Sequence, residues 1–539
     1  MIELAKDGRR AVLTDAEGRH WLTLSLLASF DRTDAVDETV SFETREEGDS
    51  IVLERRSTAW DAAGTTLTRF DDRIEIRSWV EGEGDLADVH LLGGRAVAGP
   101  STGLFRTGTS CTTLFSPNPG DPRQLVRPAA EEAVLGANGD GELGRGNWFF
   151  SPPPLMLAFS RDGAAPWLGL TLEAPVEELT FVQAVHRPGD RAFHLTLEYQ
   201  GHTRVRGRFE APAIVLRPGL QAPLDALARP AAPRAAPAWW SGPIYCGWGS
   251  QCHLSSLGQG PAPALATQES YDRFLGALEA HGVVPATVVI DDKWQETYGL
   301  NRPDTAKWPD LKGWIADRHA CGQKVLLWWK AWDPEGLDPE LCIRRPDGVP
   351  VALDPSNPAT QELLRETMHA LCSPEGLDAD GLKTDFTART PSGHALSHHG
   401  PAWGIALLHE QLKVVYDAVK QAKGDALVIT QTPHPGFGDV TDMVRLNDML
   451  RLDDPGPIPA DAVVPQMRYR AAVAHAALPD VLVDTDDWAI PDRATWRAYL
   501  AEKPALGVAS LYYATHIDLT GEALEDEDYA ALRTLFGTR

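Results

Sequence analysis

The sequence predicts a multidomain β and α/β protein, in which an N-terminal antiparallel β-sandwich precedes a (β/α)8 TIM barrel. Short runs of alternating apolar and polar residues fill residues 1–216, whereas short apolar strands alternate with longer helical stretches after residue 238. Residues 217–238 are rich in proline and alanine. We therefore expect a sandwich domain over 1–216, a linker over 217–238 and a barrel domain over 239–539.

The N-terminal part shows the period-two pattern of strands that bury one face. It is clearest in HWLTLSLL (20–27), DSIVLERRS (49–57), DRIEIRSWV (72–80) and AFHLTLEYQ (192–200), with Gly, Pro and Asp-rich turns between such runs. Strands of this kind at regular spacing are typical of an antiparallel sandwich. The segment that follows has few large apolar side chains, so it favours a linker that packs over the surface.

The C-terminal part predicts eight strands that alternate with helices, which is the pattern of a parallel barrel. Amphipathic helices are expected around YDRFLGALEAHG, ATQELLRETMHALC and GIALLHEQLKVVYDAVKQA. The predicted strands cover residues 243–249, 286–291, 324–329, 381–386, 426–431, 443–448, 481–486 and 507–513.

Charge and composition exclude several classes of partner. The formal net charge is −26, which repels phosphate backbones and anionic membrane surfaces, so neither nucleic acid nor a membrane is expected as a partner. The first residues show no cationic stretch followed by an apolar run, no long apolar stretch follows, and the six cysteines include no CxxC pair. These features predict a cytoplasmic protein with reduced thiols.

Acidic and indole side chains follow most of the predicted barrel strands. Because a barrel builds its active site where its strands end, these residues are expected to meet at one mouth. Carboxylates suit sugar hydroxyls and indoles suit the faces of sugar rings, so a carbohydrate ligand is indicated. The residues at or just beyond strand ends are Asp291, Asp292, Trp328, Trp329, Trp332, Asp333, Asp385, Asp448, Asp484, Asp486 and Asp487.

Two of these carboxylates are candidates for the chemistry of glycoside hydrolysis. That reaction uses a pair of carboxyl groups, which retaining enzymes hold about 5 to 5.5 Å apart. Asp385 and Asp448 end the fourth and sixth strands, 63 residues apart in the sequence, and could face each other across the mouth. Lys383 would help to keep Asp385 ionised.

Three motifs give the barrel half a resemblance to a known clan. VVIDDKWQ (288–295) resembles a strand-two signature, GLKTDF (381–386) a nucleophile motif, and KWPDLKGWIADRHACGQKVLLWW (307–329) a βα unit of that clan. The clan is that of the retaining α-glycosidases. The chain resembles glycoside hydrolase family 36, of α-galactosidases and raffinose-synthase-like proteins, with a KTDF nucleophile motif similar to that of family 31.

The resemblance implies roles for individual residues. Asp385 would be the nucleophile and Asp448 the acid/base, with Asp453 and Asp454 as competitors for the second role. No cofactor is expected. By the same resemblance, Asp291 and Asp292 would bind hydroxyls of the sugar. Further candidates for substrate binding, from their positions in the barrel half, are Trp294, Trp248, Trp328, Trp329, Trp332, Lys383, Arg445 and Asp486.

The expected function is a retaining α-glycoside hydrolase that acts on an oligosaccharide or other α-glycoside, with an α-galactoside as the first expectation. Alternatives are a raffinose-synthase-like transglycosylase, a hydrolase of the α-glucosidase or α-xylosidase type, and a catalytically silent carbohydrate-binding protein. A histidine cluster, His394, His398 and His399, is expected in a substrate-binding loop, and no metal site is expected because no carboxylate-rich metal motif accompanies it. The sugar, the linkage and the oligomeric state stay open.

Overall fold

The computed structural model of the chain describes residues 1–93, 151–187, 192–229, 234–449 and 458–537. It also describes short pieces of the intervening region, at 95–96, 105–107, 111, 113–117, 126–128 and 133–137. The statements below concern these residues. Asp453 and Asp454, the competing acid/base candidates, lie outside them.

The N-terminal part is one hydrogen-bonded network of 18 described strands, antiparallel except where Glu38–Glu47 meets Arg95–Ala96. The predicted antiparallel β-region is thus confirmed. The strands are Ile2–Leu4, Arg10–Thr14, His20–Ser25, Ser29–Arg32, Glu38–Glu47, Ser50–Ser57, Ala62–Arg69, Ile74–Leu91, Arg95–Ala96, Phe105–Thr107, Thr113–Phe115, Val126–Pro128, Ala133–Ala137, Met156–Ser160, Trp167–Glu173, Phe181–Arg187, Ala192–Glu210 and Ala213–Leu220.

The two longest of these strands, Ile74–Leu91 and Ala192–Glu210, pair along their length with an irregularity between Glu198 and Thr203. Gln200 and Gly201 lie in this bulge with φ angles of 54° and 83°. A bulge releases residues from the ladder and redirects their side chains. Here it directs residues 200–202 to a loop of the barrel, as described below.

The described residues between sheet and barrel, 221–229 and 234–243, include turns and contacts with the barrel. The last strand ends at Leu220, and 3-10 turns follow at Pro223–Leu227 and Ala238–Ser241. Arg234 donates to the carbonyl oxygen of Thr441 at 2.8 Å and to that of Gly438.

The barrel has eight parallel strands; seven lie within a predicted range, and β3 extends one residue beyond its range, to Lys330. With the strands numbered β1 to β8 in chain order, hydrogen bonds join them in the order β7-β6-β5-β4-β3-β2-β1-β8. A parallel bridge between Asp484 and Val508 closes the ring. The predicted TIM barrel is therefore confirmed. The strands are β1 (Ile244–Cys246), β2 (Thr287–Ile290), β3 (Lys324–Lys330), β4 (Gly381–Asp385), β5 (Leu427–Thr430), β6 (Met443–Arg445), β7 (Leu482–Asp484) and β8 (Ser510–Leu511).

Eight helices accompany the strands in the described part. The three helices predicted from quoted sequence runs are all present, at Gln268–Ala280, Pro358–Cys372 and Ile405–Ala422. The helices are α1 (Trp248–Ser256), α2 (Gln268–Ala280), α3 (Leu311–Ala320), α4 (Pro358–Cys372), α5 (Ile405–Ala422), α6 (Ala460–Ala477), α7 (Arg493–Leu506) and α8 (Asp526–Phe536). A two-stranded hairpin, Cys342–Arg344 with Pro350–Leu353, lies between β3 and α4.

The alternation of strands and helices is broken once. Residues 431–442 join β5 to β6 through a 3-10 turn, Pro435–Phe437, where a full βα unit was expected. The segment carries two prolines and two glycines, Pro433, Pro435, Gly436 and Gly438. Proline and glycine interrupt an α-helix, so this connection returns from the end of β5 to the start of β6 without one.

Side chains at helix starts explain part of the sequence pattern. Asp310, the acid of the Pro-Asp-Leu run, is the N-cap of α3 and accepts from the amide of Gly313 at 2.8 Å. Thr267 and Asn357 cap α2 and α4 in the same way. Such caps satisfy amides that have no partner within the helix.

Two further expectations concern cysteines and membranes. All six cysteines lie in described residues, and each is a free thiol. Among the described helices, none combines the length and the apolar character that a membrane crossing requires.

Candidate active site

A cavity of about 300 Å³ opens where the barrel strands end. Seven of the eight strands contribute, because the carboxyl ends of parallel strands meet at one mouth. The cavity is lined by Trp248 after β1, Asp291 and Asp292 after β2, Trp328 on β3, Lys383 and Asp385 on β4, Phe386, Ala388 and Arg389 after it, Gln431 after β5, Arg445 on β6, Asn447 and Asp448 after it, and Trp488 after β7.

The carboxylate of Asp385 is held by donors on both oxygens. Oδ1 accepts from the Phe386 amide at 2.8 Å and from Gln431 Nε2 at 3.2 Å, and lies 3.4 Å from Arg445 Nη1. Oδ2 accepts from Trp328 Nε1 at 3.2 Å. Its side chain is 20% exposed, toward the cavity that it lines.

Asp448 shares Arg445 with Asp385. Its Oδ1 accepts from Arg445 Nη2, while Arg445 Nε donates to Asp486 Oδ2 at 2.8 Å. Asp486 and Arg445 are fully buried, so one guanidinium meets three carboxyl groups within a water-poor interior. Asp486 therefore lies beneath the cavity and supports Arg445.

The two cavity carboxyls differ in their protonation. Burial opposes ionisation of Asp385, but the charges of Arg445 and Lys383 hold its pKa below the ordinary value. For Asp448, burial dominates over the attraction of Arg445, and the negative charges of Asp486 and Asp385 add to it, which raises its pKa to about 7. At neutral pH the first is ionised while the second carries a proton in a large fraction of molecules.

A second buried ion pair lies beside the first. Lys383 Nζ is 2.6 Å from Asp291 Oδ2 and 3.3 Å from Cys246 Sγ, and the thiol donates to the same Asp291 oxygen at 3.0 Å. Burial disfavours the charged form of Lys383, but Asp291, Cys246 and Asp486 together raise its pKa. The pair places a fixed cation and a fixed carboxylate in the cavity wall.

Asp292, the second acid after β2, is hydrogen-bonded to a tyrosine. Its Oδ1 accepts from the Tyr298 hydroxyl at 2.8 Å, and the amines of Lys293 and Lys330 lie 4.2 and 4.0 Å from the centre of that ring. Burial raises the pKa of Asp292 to about 6.

The structure separates the five predicted tryptophans. Trp248 and Trp328 line the cavity. Trp294, Trp329 and Trp332 are buried and are not among the lining residues; the indole of Trp294 donates to the Trp328 carbonyl at 2.8 Å. Alternation along β3 explains why Trp328 lines the cavity and Trp329 does not, because adjacent side chains point to opposite faces.

Several lining residues have no counterpart in the sequence prediction. Gln431 and Trp488 directly follow strand residues or strand-end acids, and that position is the signal that could have identified them. The others are Phe386, Ala388, Arg389 and Asn447.

Left-handed backbone is concentrated at this site. Phe386, Asn447 and Asp486 have φ angles of 61°, 69° and 34°. Each follows a barrel strand within two residues. Non-glycine residues adopt this region at a cost of about 1–3 kcal/mol each, which the surrounding contacts must offset.

The histidine cluster belongs to the loop that follows the candidate nucleophile. His398 Nε2 lies 3.0 Å from His202 Nδ1 of the N-terminal bulge, and His202 stacks on Trp403 at 3.6 Å between ring centres. Gln200 Oε1 accepts from the Gly393 amide at 2.7 Å and from the Trp403 indole at 3.2 Å. The bulge of the sheet therefore anchors this loop.

Within the described ranges, no group of three or more His, Cys, Asp or Glu side chains is arranged to hold a metal ion. Burial and the neighbouring His202 lower the pKa of His398 to about 4, and the ring of His398 contacts Trp403 and His202.

No protein-family model and no curated protein matches the chain. Its fold, however, is similar to that of solved structures. An α-galactosidase from Thermus thermophilus in complex with stachyose gives a TM-score of 0.56 at 13% identity, over 93% of this chain and 100% of that one. A family 31 sulfoquinovosidase from E. rectale with an aza-sugar inhibitor gives 0.60 at 11%, over 99% and 82%.

A third similar structure is a cycloalternan-degrading enzyme from Trueperella pyogenes, with a TM-score of 0.55 at 13% identity over 98% of this chain and 81% of that one. At these identities the comparisons show a shared fold.

The bulge contacts yield a prediction about the loop at residues 386–404. Gln200→Leu leaves the Gly393 amide and the Trp403 indole without their shared acceptor, so we expect a loss of about 1–3 kcal/mol in the free energy of unfolding. Urea denaturation measures it, and hydrogen exchange should show faster exchange of the Gly393 amide. The exposed Gln259→Leu is the matched control. Unchanged exchange at Gly393 would contradict the anchoring contact.

Proposed function

We propose that the chain is a retaining α-glycosidase in which Asp385 is the nucleophile and Asp448 the acid/base. The observation that carries this proposal is the opposite shift in the pKa of two carboxyl groups that line one cavity and contact one guanidinium. Two carboxyls whose environments separate their protonation are suited to nucleophilic and acid roles.

In the first step, the ionised Asp385 attacks the anomeric carbon while Asp448 gives its proton to the leaving oxygen. Oδ2 of Asp385 accepts one hydrogen bond, from Trp328, whereas Oδ1 faces three donors, so Oδ2 is the attacking oxygen. The glycosyl–oxygen bond breaks, an ester forms on Asp385, and the aglycone leaves as an alcohol.

In the second step, Asp448 takes a proton from water, whose oxygen bonds to the anomeric carbon. The ester bond to Asp385 breaks, which releases the sugar and restores the Asp385 carboxylate. Formation of the ester removes the negative charge of Asp385, which is one cause of the raised pKa of Asp448. The pKa of Asp448 therefore falls in the intermediate, which favours its action as a base. Arg445 contacts both residues and stabilises the carboxylate at each stage.

The sugar would be held by the groups that line the rest of the cavity. Asp291, Asp292 and Lys383 offer acceptors and a donor to hydroxyls, and Trp248 and Trp328 offer ring faces. An α-galactoside is our first candidate because the strand-two motif resembles that of family 36. The fold neighbours include an α-galactosidase and a sulfoquinovosidase, so other α-configured sugars belong in the test.

The roles predict different products from two variants. Asp385→Ala should lose turnover of 4-nitrophenyl α-glycosides and, with azide, release the β-glycosyl azide. Asp448→Ala should lose about 10²–10⁴-fold with poor leaving groups and give the α-azide, because the glycosyl-ester still forms. NMR of the products distinguishes the two.

A panel of α- and β-glycosides identifies the substrate in the same experiment. The control is Asp417→Ala, which removes an exposed carboxylate of α5 that pairs with Lys413. Turnover of a β-glycoside alone, or full activity of Asp385→Ala, would contradict the proposal. Transfer of the sugar to an added acceptor in preference to water would identify a transglycosylase.

The raised pKa of Asp448 predicts a pH dependence. Asp448 must carry its proton in the first step, so kcat/KM should fall as pH rises through about 7. Asp486→Asn removes a negative charge that raises this pKa, so the basic limb should move to lower pH. A pH–rate profile of both proteins measures it, and a basic limb that does not move in the variant would count against Asp448.

A further inference from the structure

The turn that carries Asp448 depends on contacts for its shape. It follows the three-residue strand β6 and has no regular secondary structure. Asn447 in this turn has a φ of 69°, and its side-chain oxygen accepts from the Asp448 amide at 2.9 Å. A backbone conformation of this kind persists where neighbouring groups restrain it.

Arg470 of α6 provides such a restraint. Its Nη1 lies 2.8 Å from the carbonyl oxygen of Leu446, 2.9 Å from that of Asn447 and 3.0 Å from that of Asp448. Three successive carbonyl groups thus point to one guanidinium nitrogen. The residue is 1% exposed, so water does not compete with it for these oxygens.

The charge of Arg470 is retained in this interior. Burial lowers its pKa to about 9, although Asp448 and Asp486 favour the charged form, so the side chain is protonated at neutral pH. Burial of a guanidinium is costly, and packing of α6 alone does not require it. Hydrogen bonds from a charged donor to three carbonyls offset part of that cost.

Asp448 is therefore held twice. Arg445 contacts its carboxylate, and Arg470 contacts the backbone that sets where the carboxylate lies. We propose that Arg470 is a positioning residue that holds the turn at residues 446–448 so that Asp448 can deliver its proton to the leaving oxygen. The proposal rests on the acid/base role of Asp448 given above and adds a residue outside the cavity lining.

The test compares two substrates of the sugar that the wild type turns over best. A methyl α-glycoside needs a proton on its leaving oxygen, whereas an α-glycosyl fluoride loses fluoride with little help from an acid. For Arg470→Met we expect kcat/KM to fall about 10²-fold on the methyl glycoside and about threefold or less on the fluoride. Arg470→Lys, which keeps the charge, should give a smaller loss with the same selectivity.

Arg468→Met is the matched control, since Arg468 lies on the same helix and forms an exposed pair with Glu502. It should leave both substrates unaffected. Equal losses on both substrates in Arg470→Met and Arg470→Lys would overturn the proposal, because they would indicate a general loss of structure. Melting temperatures of the three variants identify any that do not fold.

A direct titration separates this inference from the proposed function. The Asp448 carboxyl, labelled with carbon-13 and assigned by Asp448→Asn, can be titrated by NMR in wild type and variants. Loss of the nearby cation should raise the pKa of Asp448 in Arg470→Met, and Arg468→Met should leave it unchanged. If the wild type turns over no glycoside, the proposed function fails, while an unchanged titration in Arg470→Met would overturn the inference itself.

Discussion

Arg445 is a buried cation shared by Asp385, Asp448 and Asp486, and the chemistry of the cavity follows from this arrangement. One guanidinium cannot balance three negative charges in a medium that screens them poorly, so the carboxyls compete for it. Asp486 and Asp385 keep a lowered pKa, and Asp448 takes the raised one. Burying such a cluster of charges costs free energy of folding, so it contributes little to stability. It does separate the pKa values of carboxyl groups that lie close together.

The fold serves to bring these groups together. The candidate nucleophile ends β4, Arg445 ends β6 and Asp486 follows β7, so the cluster brings together three strands, of which β6 and β7 are neighbours and β4 is separated from β6 by β5. Lys383 and Asp291 form a second buried pair in the same wall. The N-terminal sheet takes part from outside, because its bulge at residues 200–202 contacts the loop that follows Asp385.

Local sequence predicts much of this architecture and misses what depends on tertiary contact. Eight apolar runs bounded by turn residues were sufficient to place the strands, and acids at their ends predicted Asp385 and Asp448 as cavity residues. A full βα unit was expected over residues 431–442, although the prolines and glycines of this segment are a local signal against a helix. Neutral residues such as Gln431 and Asn447 carry no chemical signal of their own. Nor could the sequence reveal Arg470, which acts on a turn more than twenty residues away.

The central claim is that Asp385 forms a covalent bond to sugar. An α-configured mechanism-based inhibitor of the preferred sugar, followed by digestion and mass spectrometry, tests it most directly. The account predicts one sugar on the peptide that contains GLKTDF, attached as an ester to Asp385 and absent from Asp385→Ala. Binding of the inhibitor without a covalent adduct, or an adduct on another carboxylate, would contradict it.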